Sequence, residues 1–179
     1  RAWLTLDEFA SFQNSDEMPW KKVAVLNVEG FLDFHTSYIA AGLEEKGVEC
    51  TVSSISIPQI DKLRENPTEM RSVTVARALD KEENILALAS IITAEAKDTQ
   101  TVIMPAVLGF ERTDVLDRLE KITGKQILTV ATLPPSVEGI KVERALRKTF
   151  ERMGGVIFNG HTATQYTMEE GAVATITTS

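Results

Sequence analysis

Val23-Ala24-Val25-Leu26-Asn27-Val28-Glu29-Gly30 is the stretch from which the architecture can be read. Val23 to Val28 form a short run, apolar but for Asn27 and half of it β-branched, that reads as a buried strand, and Glu29-Gly30 turns the chain out of it. From Asp33 the apolar spacing becomes helical through Phe34, Tyr38, Ala41 and Leu43. It stops at Lys46-Gly47, a cation in the last turn with glycine where the chain must leave the helix. Val48 to Ile57 returns to strand spacing, so the opening third of the chain describes a βαβ unit.

Beyond that unit, strands and helices go on alternating. Pro58 ends the second strand, and Asn66-Pro67 breaks a short helix. Thr68 has the chemistry of an N-cap, with Glu65 and Glu69 beside the positive helix end, for a helix from about Glu69 to Leu79. A second helix from Lys81 to Ala96 carries Ile85, Leu88, Ile92 and Ala96 at helical spacing. Val102-Ile103-Met104, closed by Pro105, is a short buried strand; Thr113 to Ile122 is a helix closed by Gly124; Gln126 to Thr132 is the next strand, ended by Pro134-Pro135. The longest amphipathic helix runs from Val137 to Met153 and stops at Gly154-Gly155. Three short strands follow, at Val156–Phe158, Thr162–Met168 and Ala172–Thr177, the last two joined by the tight turn Glu169-Glu170-Gly171. The expected architecture is α/β: a mainly parallel sheet covered by helices, then a long helix and a small antiparallel β unit. Three segments are expected: a lead-in over residues 1–19, an α/β domain over 20–135 and a separate unit over 136–179. The chain opens on Arg1 with an apolar pattern already running at Trp3-Leu4, and it closes on strand-like alternation, so both ends read as cut from a longer chain.

Composition narrows the function. The 179 residues are 43% hydrophobic and 25% charged, the range of a folded soluble domain. A formal net charge of −7 without a basic stripe argues against a nucleic-acid partner, whose phosphates must be neutralised by clustered Lys and Arg. The densest positive set, Lys141, Arg144, Arg147, Lys148 and Arg152, is diluted by Glu138, Glu143 and Glu151 and reads as a solvated helix face. The lone Cys50 cannot form an intrachain disulfide or a cysteine-rich zinc site and fits a reducing compartment; its place in an apolar run makes it core filler. No apolar run approaches the ~18 residues needed to span a bilayer, so direct membrane insertion is not expected.

No phosphate-cradling glycine loop follows the first strand, which ends Val28-Glu29-Gly30-Phe31 without the repeated glycines that let backbone amides approach a pyrophosphate. With His35 and His161 as the only imidazoles, a histidine metal centre or a Ser-His-Asp hydrolase has little material, and no metal is expected. His35 nevertheless lies just past a strand's C-terminal end, where open α/β sheets bind ligands. Arg71 and Arg77 could offer a guanidinium fork to a carboxylate or phosphate, or simply pair with Glu69, Asp80 or Glu83 on a helix surface. Ser136, after two prolines, is a good helix N-cap and a lesser candidate for ligand contact.

Three stretches together resemble one family: Lys21-Lys22 through Gly30-Phe31-Leu32-Asp33-Phe34; Thr68-Glu69-Met70-Arg71 through Ala76-Arg77-Ala78-Leu79-Asp80 with Glu82-Glu83-Asn84; and Thr132-Leu133-Pro134-Pro135-Ser136-Val137-Glu138-Gly139-Ile140 with Gly154-Gly155-Val156 downstream. They are similar to the B subunit of anaerobic glycerol-3-phosphate dehydrogenase, along nearly the whole chain. The resemblance implies a flavoprotein subunit that oxidises sn-glycerol 3-phosphate to dihydroxyacetone phosphate and passes electrons to a quinone. It implies FMN or FAD in the full-length parent, a flavin-bearing A subunit and an iron-sulfur C subunit as partners, and a cytoplasmic position peripheral to the inner face of the membrane. The family's full subunit would open on a Gly-x-Gly-x-x-Gly-type turn and close on a second glycine-rich segment. Neither occurs here, so no flavin is expected to bind tightly to these residues alone, and the piece by itself is expected to be inactive. Under this resemblance residues 20–135 cap the flavin on its substrate side and 136–179 belong to the flavin-binding domain. Arg71, Arg77, His35 and Ser136 are the residues expected to meet a small phosphorylated alcohol. The competing expectation is a module for subunit docking or electron relay that never touches substrate.

Overall fold

The computed structural model describes residues 18–66, 68 and 70–179. Most of the expected lead-in, Trp3-Leu4 and Glu69 therefore lie outside the described residues. The elements run β1 (Lys22–Val28), α1 (Thr36–Glu44), β2 (Glu49–Ile55), α2 (Pro58–Arg64), α3 (Ser72–Leu79), α4 (Glu82–Glu95), β3 (Thr101–Pro105), α5 (Val115–Thr123), β4 (Gln126–Val130), α6 (Val137–Arg152), β5 (Ala163–Glu169) and β6 (Ala172–Thr178). Two compact units are distinguished, the first ending at Val142 and the second spanning Glu143–Ser179.

In the first unit four parallel strands hydrogen-bond in the order β2-β1-β3-β4. Val25 of β1 lies between Val52 of β2 and Ile103 of β3. Interior strands of a parallel sheet are covered on both faces, and this is why Val23, Ala24, Val25 and Leu26 and the whole of β3 are buried without alternation. Crossovers between parallel strands are right-handed, so the chain's reversal of direction around β1 puts α1 on one face and α4 with α5 on the other. Side chains of the edge strand record that split. Cys50 Sγ rests 3.8 Å from the Ala40 carbonyl of α1, whereas Ser53, three residues on and therefore facing the other way, hydrogen-bonds Glu95 of α4. Cys50 is half-buried, and burial pushes its thiol up from the ordinary value. Ile85, Leu88 and Ile92 of α4 form the fully buried stripe that their spacing predicts, and Leu119 of α5 joins the same core.

Helix ends draw on distant partners as well as local ones. The α4 helix has no basic residue in its last turn, and Lys125 fills that need from elsewhere: its Nζ donates to the Ala96 and Thr99 carbonyls at 2.6 Å each. Thr68, expected as an N-cap, does not cap the helix. The helix begins later, with Arg71 in the capping position, because the Thr68 hydroxyl donates to Asn66 Oδ1 at 2.8 Å and holds a local turn instead.

In the second unit, α6 ends as a Schellman motif. The Gly155 N–H donates to Phe150 O at 2.9 Å and the Gly154 N–H to Glu151 O at 3.0 Å, with Gly154 at φ 88°. The antiparallel hairpin β5–β6 turns through Glu170 and Gly171, both at positive φ. Val156–Phe158 is not a strand, contrary to its composition. It finds no ladder partner among the described residues, and β-branched side chains favour a sheet only when a neighbouring strand takes up their backbone groups.

Two substitutions test this core. Leu88→Ala leaves a cavity under a fully buried helix and is expected to cost about 2–5 kcal/mol. Lys125→Met leaves the Thr99 carbonyl without its donor and removes one of the donors to the Ala96 carbonyl, and is expected to cost about 1–3 kcal/mol. Urea midpoints at constant m-value read both, and wild-type midpoints would contradict the packing described here.

Candidate functional site

Where the strand order reverses, between β1 and β3, the loops leaving the C-terminal strand ends diverge, and open α/β sheets bind their ligands in that crevice. Here the crevice is filled from within. At the end of β1 the Asn27 side-chain amide donates to Phe31 O at 2.8 Å and Phe34 O at 3.2 Å, curling the loop so that both rings are buried. At the end of β3 the segment Ala106–Phe110 is buried in turn. Gly109 sits at φ 68°, and a Cβ there would stand 2.7 Å from the Arg112 carbonyl oxygen, so only glycine fits the turn.

Six backbone amides around the crevice are committed within the unit. The Glu29 N–H donates to Ile55 O and the Phe31 N–H to Val28 O; the Ala106 N–H donates to Val130 O and the Val107 N–H to Pro105 O. The next two converge on one carboxylate. Gly109 N–H donates to Asp80 Oδ1 at 2.9 Å and Glu111 N–H to Asp80 Oδ2 at 2.6 Å, and Asp80 is only 8% exposed.

The four expected contact residues occupy different surroundings. Arg71 is exposed at the N-terminus of α3, and its guanidinium makes no hydrogen bond, ion pair or ring contact among the described residues. Arg77 lies in the last turn of the same helix with its guanidinium 4.8 Å above the Phe110 ring and 3.7 Å from Glu111. Its partner is therefore Glu111, not Asp80 or Glu83. His35 caps α1 without a side-chain hydrogen bond and meets Tyr38 edge-on at 5.7 Å. Ser136 performs the capping role expected of it, its Oγ accepting the Gly139 N–H at 3.1 Å. Beside α3, Ser72 Oγ and Thr132 Oγ1 form a buried pair at 2.9 Å that ties this helix to the end of β4. Asp80, Asn27, Gly109 and this hydroxyl pair carry no motif; each acts on a partner distant in sequence or through a turn only the folded chain reveals.

An ion network brackets the loop after β3. Arg112 reaches Asp114 at 2.7 Å and Glu82 at 3.1 Å, and Arg118 also pairs with Glu82. The two guanidiniums, Arg118 foremost, hold the Glu82 carboxyl below its ordinary range, and Arg112 does the same for Asp114. Among the described residues, no group of three or more His, Cys, Asp or Glu is placed to hold a metal ion. No helix among them is long and apolar enough to cross a membrane.

A family model described as FAD binding domain matches residues 1–177. The chain belongs to the FAD binding domain family. It is also similar to the B subunit of anaerobic glycerol-3-phosphate dehydrogenase from Yersinia pestis bv. Antiqua (strain Antiqua), 36% identical over 158 residues, and from Yersinia enterocolitica, 37% identical over 158 residues. These alignments cover 88% of this chain and 37% of each relative. The corresponding B subunit of Glaesserella parasuis serovar 5 is 32% identical over 181 residues, covering 99% of this chain and 42% of that protein. The chain thus spans about two-fifths of the length of these curated relatives. No solved structure matches it.

As a member of the FAD binding domain family the chain is tied to a flavin, yet its α/β unit does not fit one. A dinucleotide's phosphates need unspent backbone amides at a switch point, and here Phe31, Phe34 and Phe110 are buried at the strand ends while the amides of Glu29, Phe31, Ala106, Val107, Gly109 and Glu111 are bonded within the unit.

Gly109→Ala is expected to lower stability by about 1–3 kcal/mol through a forced positive φ, measured by thermal or denaturant unfolding. For Glu82 the depressed carboxyl sets the sign. Its ion pairs contribute fully above the ordinary glutamate range and are lost as pH falls below it. The stability difference between wild type and Glu82→Gln should be largest at neutral pH and shrink on acidification; a gap independent of pH would refute the pairing.

Proposed function

We propose that this chain is part of a flavoprotein subunit of a quinone-linked glycerol-3-phosphate dehydrogenase, whose full-length form oxidises sn-glycerol 3-phosphate to dihydroxyacetone phosphate. The observation that carries this reading is the 32–37% identity, over most of the chain, to proteins named as B subunits of anaerobic glycerol-3-phosphate dehydrogenase. Within that assembly residues 20–135 act as the substrate-side cap and residues 136–179 belong to the flavin-binding domain. The parent carries FMN or FAD, works beside an A subunit and an iron-sulfur C subunit, and sits through them at the inner face of the cell membrane. The 179 residues alone are inactive, since the α/β unit offers no place for the cofactor that supplies the redox chemistry.

Among the candidate contacts Arg71 ranks first. An exposed guanidinium with no internal partner among the described residues is free to take a phosphate, whereas Arg77 is engaged by Phe110 and Glu111. His35 and Ser136 rank below them, and the Ser136 oxygen already accepts the capping N–H of Gly139.

A second reading, docking or electron relay without substrate contact, draws support from one observation. Leu32 is 79% exposed, Tyr38 78% and Leu133 64%, and all three lie in or beside loops at the C-terminal edge of the sheet. Large apolar side chains gathered on one edge suit a protein surface better than a small anion.

The full-length parent separates the two. Under the first reading it purifies yellow and reduces a dye only when glycerol 3-phosphate is supplied, and Arg71→Ala raises KM roughly tenfold or more, as loss of a charge-assisted phosphate contact should. A yellow parent that ignores glycerol 3-phosphate would transfer the weight to docking or relay.

A further inference from the structure

We propose that the loop after β3 is an anion cradle that the α/β unit keeps filled with its own Asp80 carboxylate, closing the switch point to external phosphates. The unit then serves its flavoprotein without holding the flavin.

Position and geometry both point there. A doubly wound sheet offers one favoured ligand position, beside the loops that follow the two strands where the order reverses, and these are the β1 and β3 loops. The anion-binding groups at such positions are backbone N–H groups turned inward, often with a glycine at positive φ that lets them converge. The loop after β3 has that form: Gly109 at φ 68°, with its own N–H and that of Glu111 on the two oxygens of a single carboxylate at 2.9 and 2.6 Å. A phosphate or a flavin's pyrophosphate would use the same pair of donors.

The carboxylate in place is part of the fold. Asp80 is the C-cap residue of α3, and its backbone N–H donates to Ala76 O at 2.9 Å, so its side chain is delivered to the cradle by a helix end. A tethered group competes with free ligand at a high effective concentration. Displacing it would also leave a buried carboxylate without its donors, a costly exchange. The neighbouring space is closed as well, by Phe31, Phe34, Leu108 and Phe110. This inference does not depend on the substrate or the quinone, and it fails by a different measurement from the dye assay.

Chemical complementation in the 179-residue chain tests it, with formate and inorganic phosphate as probes. In wild type, titration should leave the Gly109 and Glu111 amide resonances unmoved. In Asp80→Ala, formate should shift those two amides saturably and raise the thermal midpoint above that in chloride of equal ionic strength. The wild-type response should be at least roughly tenfold weaker, because the tethered carboxylate holds the site. If Asp80→Ala does not fold in plain buffer, refolding in formate should recover native amide dispersion where chloride does not. Saturable binding of phosphate or FMN at those amides in wild type would overturn the proposal. So would a folded Asp80→Ala indifferent to both anions, or an unfolded one that formate does not rescue, since either makes Asp80 a packing residue only.

Discussion

A buried carboxylate must find donors, and the way Asp80 finds them organises the C-terminal edge of the sheet. Its oxygens take the N–H groups of Gly109 and Glu111, so the end of α3 is fastened to the loop that leaves β3. That loop has to turn sharply for the two amides to reach one group, and the turn needs a glycine because the Arg112 carbonyl crowds the position of a Cβ. With the loop so held, Phe110 is buried and presents its ring face to Arg77, whose guanidinium comes to rest there with Glu111 alongside. The ion network of Glu82, Arg112, Asp114 and Arg118 continues the same clamp on the exposed side, where salt screens it and its contribution is smaller.

The clamp bears directly on what the unit can do. Doubly wound sheets that bind nucleotides leave amides unspent where the strand order reverses, and this one turns the Gly109 and Glu111 amides onto its own Asp80. The result is an α/β layer with a parallel sheet's rigidity and a closed ligand position. Such a layer is suited to covering a cofactor held elsewhere or to receiving a neighbouring protein surface. Membership in the FAD binding domain family and a closed switch point are compatible on those terms, because a family match over a whole chain does not require every layer of it to touch the flavin.

Much of the fold is legible along the chain because it is written in local chemistry. The buried strand at Val23–Val28, the stripe of Ile85, Leu88 and Ile92, the N-cap at Ser136 and the glycine stop at Gly154-Gly155 all depend on residues within about a turn of one another. The same locality explains the failures. Thr68 has capping chemistry, but its hydroxyl had a nearer partner in Asn66. Val156–Phe158 has strand composition, but a strand is a property of two segments and composition describes one.

Residue types at short spacing were enough to establish the alternation of strands and helices, the exclusion of a glycine-rich phosphate loop after the first strand and the family resemblance. It took the folded chain to show that Asp80 meets a loop 29 residues away and that Arg77 stacks on Phe110 while Arg71 is left without an internal partner among the described residues. The difference arises because the strand order β2-β1-β3-β4 brings together chain segments no local pattern links, and side-chain contacts at the ends of strands are set by that order.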